Sequence, residues 1–135
     1  MTAITRTEPT LFATSAGLRR RPRALTVALW IVTVAAAVMF LLAGWSKLAG
    51  NPQMVQLFAT IGLGQWFRYL TGAIEVISAV ALLVPSVALF GALALAATMI
   101  GATLTHLFIV GGSSAIPLAL FVATSFIAWA RWNSR

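Results

Sequence analysis

Four runs of apolar residues, Ala24 to Gly44, Trp66 to Val84, Ser86 to Val110 and Ser114 to Ala130, leave this chain of 135 residues few ways to fold. Each is close to the ~20 residues that a helix needs to cross the hydrocarbon of a bilayer, the fourth being the shortest. Unpaired backbone groups are so costly in lipid that the runs read as helices, and no alternating pattern offers a barrel instead. Composition agrees: 61% of residues are hydrophobic and 8% charged, with a mean hydropathy of +0.99, outside the range of soluble domains. The expected fold is all-α, an integral membrane bundle of four transmembrane helices over residues 24–132, with no length for a second domain.

The connections refine this. Pro85 cannot continue the helix before it, so the second and third runs form a tight antiparallel hairpin. In GGSSAIP the glycines end the third helix, Ser113 or Ser114 can cap the fourth, and Pro117 fits its first turn. The stretch from Trp45 to Gln65 is longer, with Asn51 as a cap, Pro52 as a first helical residue and Gly62 as a stop. Met54, Val55, Leu57, Phe58 and Ile61 recur there at helical spacing opposite Gln53 and Gln56, which predicts a short interfacial helix in the first external loop, placed as a lid over one end of the bundle. In the third run Ala94, Thr98 and Ala102, and likewise Ala97, Gly101 and Thr105, form small-residue ladders that let helices approach closely.

Charge sets the orientation. Residues 1–23 are rich in Thr, Ser and Arg and read as a disordered basic cytoplasmic tail. LRRRPRAL is superficially like a twin-arginine signal, but the long run after it has no convincing cleavage site, so the first helix is expected to be retained. Arg6, Arg19, Arg20, Arg21 and Arg23 precede the first helix and Arg131 and Arg135 follow the last, against only Lys47 and Arg68 on the other side. By the positive-inside rule both termini are cytoplasmic, residues 133–135 forming a short C-terminal tail. Trp45, Trp66 and Tyr69 at one boundary and Trp129 and Trp132 at the other fit aromatic belts, with Trp30 an exception inside the first span. The net charge of +7 brackets apolar segments and points to an anionic membrane surface, not to nucleic acid.

Against this background one residue stands out. The chain has two acidic residues, and one, Glu75, lies nine residues past Trp66, ~13 Å inside a ~30 Å core. A carboxyl group there either keeps its proton or is stabilised by a cation or a water-filled cavity. Arg68, seven residues earlier on the same helical face, ranks first as partner, and Lys47 in GWSKLAG, with an aliphatic stem that tolerates apolar surroundings, ranks second. His106 is expected near the outer mouth, as one wall of a polar vestibule with Arg68 and Lys47. Tyr69 and Trp45 are secondary candidates beside it. With no cysteine and one histidine, a thiol relay, an iron–sulfur cluster and a metal ion held directly by side chains all lack ligands.

The stretch LLAGWSKLAG, with its small-Gly-x-x-Lys-Leu pattern, and IGLGQWFRYLTGAIEVISAVALLVP, with Gly72 three residues before Glu75, carry a resemblance. Over roughly Ala24 to Trp132 the chain resembles the DoxX-like family of small bacterial four-helix membrane proteins. The family's name traces to subunits of a thiosulfate:quinone oxidoreductase, and more distant relatives in the same broad group are eukaryotic membrane proteins that help other proteins assemble or leave the endoplasmic reticulum. Carried over, the family's lysine and glutamate fall on Lys47 and Glu75. The resemblance implies a multi-pass protein of the bacterial inner (plasma) membrane.

Three functions follow as expectations. The first is an accessory subunit of a redox or quinone-linked membrane system, binding a small apolar ligand near Glu75, with no covalent cofactor and a quinone or lipid as candidate ligand. The second is a non-catalytic scaffold or assembly factor, and the third a small permease or proton pathway. The chain is not expected to be an enzyme on its own; its partners would be membrane lipids and a partner membrane protein or second copy.

Overall fold

The computed structural model describes residues 22–135. The expected basic tail over 1–23 lies outside these residues except for its last two, and Arg23 already begins a helix. Every regular element among the described residues is a helix, with no strand.

Helix α1, Arg23–Leu48, follows Pro22, whose extended backbone suits a helix entry. Its first buried residue is Leu29, so ~10 Å of helix precedes the packed part. This resolves Trp30: Arg131, near the end of the last helix, lies 5.2 Å from its ring centre. Trp30 therefore shares a level with the far end of the bundle and is not an exception deep in a span. Helix α2, Pro52–Ile61, begins and ends where its residues predict. The Asn51 side chain accepts the amide of Gln53 at 3.0 Å, and Gly62 closes the helix at a φ of 83° that favours glycine.

Helix α3, Gln65–Leu82, is followed by turn bonds from Leu83 to Val80 and from Val84 to Ala81, both 3.1 Å, which reverse the chain around Pro85. Helix α4, Ala88–Thr105, widens into a π-helical end over His106–Val110, and the His106 carbonyl accepts the Gly111 amide at 2.9 Å. Helix α5, Ala115–Trp132, carries Pro117 in its first turn, where the missing amide costs little. Ser113, not Ser114, provides the side-chain cap, accepting the Ala115 amide at 3.2 Å.

Among the described residues three helices are long and apolar enough to cross a membrane: α1, α4 with its π-helical end, and α5. The neighbour order is α1, α3, α4, α5, with a smaller contact between α5 and α1. Phe40, Leu82, Leu95 and Ile127 are fully buried at the centre. Large apolar side chains cover the outside, among them Ile77 at 69% exposed and Phe90 at 62%, a surface that suits lipid and not water. Helix α2 turns Phe58 and its apolar neighbours onto α3 and the π-helical end of α4 and leaves Gln53 and Gln56 outside. Phe58 meets Phe67 edge-on at 5.8 Å.

The small residues of α4 divide differently from the sequence expectation. Ala97 is exposed, and a side chain added at Gly101 would enter open space. The close approach is made by Gly91, where an added Cβ would stand 2.7 Å from the Ser78 carbonyl of α3. Two buried threonines are satisfied locally: Thr33 donates to Leu29 at 2.7 Å and Thr124 to Leu120 at 2.9 Å, each within its own helix.

Candidate functional site: a charged helix crossing

Two glycines build the site. Helices α1 and α3 run antiparallel, and at their crossing a Cβ on Gly44 would stand 2.9 Å from the Gly72 carbonyl and 3.2 Å from the Glu75 Cβ. A Cβ on Gly72 would stand 3.0 Å from the Lys47 Cβ. Each glycine therefore faces the charged residue of the other helix and makes room for it. Each charged residue lies three positions after its own glycine, and side chains on a helix lean toward its N-terminus. Since the helices are antiparallel, Lys47 and Glu75 lean toward one another.

They meet closely. The Lys47 ammonium donates to both carboxylate oxygens at 2.9 Å. The Glu75 side chain is 3% exposed and that of Lys47 14%, so the pair is withdrawn from water and its attraction is little screened. Removing either member would strand a buried charge.

Arg68 is placed otherwise than its rank predicts. It is buried at 4% exposure, but it does not reach Glu75. Its Nη1 donates to the Lys47 main-chain carbonyl and its Nε to Gln65 Oε1 at 2.7 Å. The physical reason is again the lean of helical side chains: Arg68, one turn before Gly72, points away from Glu75 and onto the end of α1. There it meets the Lys47 carbonyl, in the last turn of α1, where the negative end of the helix dipole lies. The Tyr69 ring lies 4.3 Å below the guanidinium carbon, a cation–π contact that helps to hold a desolvated cation.

Gln65 is the member that sequence reasoning missed. Its Nε2 donates to the Val55 carbonyl of α2 at 3.1 Å, so a polar line runs from Glu75 through Lys47, Arg68 and Gln65 to α2. The visible signal was the i, i+3 spacing of Gln65 and Arg68 at the start of a helix. His106 does not join: its ring Nδ1 lies 3.3 Å from the Gly111 carbonyl, closing the π-helical turn that interrupts α4. Trp45 faces outward at 67% exposure. Among the described residues no group of three or more His, Cys, Asp or Glu side chains could hold a metal.

The arrangement ties α1 to α3 and buries Glu75, the one acidic side chain among the described residues, against Lys47. Comparison with curated proteins and with solved structures finds no match. The family model described as the DoxX-like family matches residues 31–130, a span that holds both crossing glycines and every residue of the polar line, and the chain belongs to that family.

Proposed function

We propose that this membrane protein is a non-catalytic scaffold that crosses the bilayer four times, with α3 as the fourth span beside α1, α4 and α5. The 18 residues of α3 reach ~27 Å, near the ~30 Å hydrocarbon thickness, and its two charges are taken up by α1. Both termini lie on the cytoplasmic side of a bacterial plasma membrane, following the arginines, and α2 lies in the outer interface across the mouth. The exposed apolar faces take up lipid and a partner membrane protein or second copy.

One observation carries the scaffold reading: both oxygens of Glu75 are bound by Lys47 across a glycine-to-glycine crossing. The carboxylate joins two helices and is not held open for a substrate. A second reading keeps a small apolar ligand, a quinone or lipid, at the same place within a redox-linked assembly. The partial exposure of Lys47 favours it, because an ammonium at the margin of the pair can donate to a quinone carbonyl.

The two separate in the double variant Lys47→Met, Glu75→Leu, which removes the charges and keeps the volume. The scaffold reading expects a folded double variant that retains its assembly state, and no isoprenoid in native mass spectra of wild type extracted in mild detergent. A quinone retained by wild type and lost from the folded double variant would overturn the scaffold in favour of the ligand site.

A further inference from the structure

Helix α2 is thinly attached to the rest of the molecule. Phe58 is its one buried residue, whereas α1 and α3 bury six each. Two latches hold it, both on α3: the edge-on contact of Phe58 with Phe67 and the bond from Gln65 Nε2 to the Val55 carbonyl. A segment with so few buried apolar contacts opens at a smaller cost than the fold as a whole.

Its two ends are built to turn. Three residues link α1 to α2 and three link α2 to α3. Gly50 lies in the first link at a φ of 74° and Gly62 in the second at 83°. Glycine moves between positive and negative φ without steric penalty, so each link can absorb the dihedral change that rotation of a rigid helix demands. The cap travels with the helix, because the bond from the Gln53 amide to Asn51 lies within the moving segment.

Beneath α2 lies a cation. Arg68 is the fourth residue of α3, at the mouth of the bundle, and is nevertheless buried. The α1–α2 link supplies part of the cover, since a Cβ on Gly50 would stand 3.7 Å from Arg68 Nη1. Gln65, which accepts from Arg68 Nε, is the same residue that holds α2. The one carboxylate among the described residues is taken by Lys47, so the guanidinium keeps a desolvation cost that water would relieve. That cost opposes the two latches.

We propose that α2 is a hinged lid, which rotates about Gly50 and Gly62, releases Phe58 and the Gln65 bond, and admits water to the Arg68 guanidinium. Neither a structural ion pair nor an apolar ligand beside it requires α2 to move, so the motion goes beyond both readings above. The four-span reading enters only in naming the outer side as the one the lid faces. Labelling in detergent is blind to sides, so a failure there leaves that reading standing.

The chain has no cysteine, so thiols can be placed on the latch without background. The test is the rate at which p-hydroxyphenylglyoxal, a water-soluble arginine reagent, modifies Arg68 of the full chain in mild detergent. Peptide mass spectrometry reads that rate against the exposed Arg23. The double variant Phe58→Cys, Phe67→Cys is assayed reduced and again after bridging with a short bis-maleimide. Loss of the rings is expected to raise the rate at Arg68 about tenfold or more over wild type, and the bridge to return it to the wild-type level or below, with hydrogen exchange in α4 and α5 unchanged. Equal rates with and without the bridge would overturn the lid. So would a rise at Arg68 matched by faster exchange in α4 and α5, since the whole bundle would then be loosening. The milder Phe58→Leu keeps the test open if the double variant does not fold: a rise of about threefold is expected, and an unchanged rate would overturn the lid as well.

Discussion

Among the described residues the α1–α3 and α4–α5 pairs are the two most extensive helix contacts, and they are made of different material. The first closes over an ion pair between two glycines. The second belongs to an apolar cluster in which Ala92, Leu95 and Met99 of α4 join Ile127 and Ala128 of α5. Lipid tails are as apolar as leucine, so burial alone does not drive helices together in a membrane. One pair compensates with charge and close backbone approach, the other with shape. The charged pair is specific in register, because the ammonium and carboxylate meet at one offset of the helices; the apolar pair tolerates exchange of side chains of equal volume.

Substitutions of graded severity test this contrast. The largest effect is expected from Glu75→Gln or Lys47→Met alone, about 3–5 kcal/mol of lost stability, since each leaves a buried partner unpaired, whereas removing both restores most of it. Reversible unfolding in mixed micelles would measure the cycle, and a loss in the double variant equal to the sum of the two single losses would show that the pair does not act as a unit. In the apolar half, Ile127→Ala is expected to cost about 2–5 kcal/mol by the same assay, and Ile127→Leu less than about 1.5 kcal/mol. An Ile127→Leu variant as unstable as Ile127→Ala would blur the distinction.

Glycine gives a finer comparison. Gly44→Ala places a methyl 2.7 Å from Val76 and 2.9 Å from the Gly72 carbonyl, and is expected to cost about 1–3 kcal/mol. Gly101→Ala enters open space within a helix and is expected to stabilise by about 0.5–1 kcal/mol. Thermal scans of the two variants side by side would show opposite shifts; shifts of one sign would mean that the α1–α3 crossing is looser than its distances.

Much of this was legible in the chain. Four apolar runs, the cap at Asn51, the stop at Gly62 and the break at Pro85 mark the helices because each rests on local backbone chemistry. Glu75 and Lys47 were legible as a pair of odd residues, since a buried charge is too costly to be incidental. The order of partners was not. Spacing within one helix puts Arg68 on the face of Glu75, but the lean of its side chain carries it the other way, and that direction matters only once the antiparallel partner is in place. The small-residue ladder of α4 misled for a related reason: periodicity names a face without saying what it meets, and Gly91, outside both ladders, makes the contact.

The uneven apolar character of the helices bears on how the chain is made. Helix α3, with Gln65, Arg68 and Glu75 inside it, is absent from the three helices that qualify by composition to cross a membrane, while α1, which qualifies most strongly, is synthesised first. On the four-span reading proposed above, Lys47 and the end of α1 would await α3 at the bilayer surface, supplying a counter-charge for Glu75 and the Lys47 carbonyl for Arg68 as it arrives. On this view α1 acts as a chaperone within the same polypeptide, and entry of the third helix is conditional on the first. The order of synthesis then becomes part of the fold, and a circularly permuted chain in which α3 emerges before α1 would stall at the translocon despite having every contact of the finished bundle encoded.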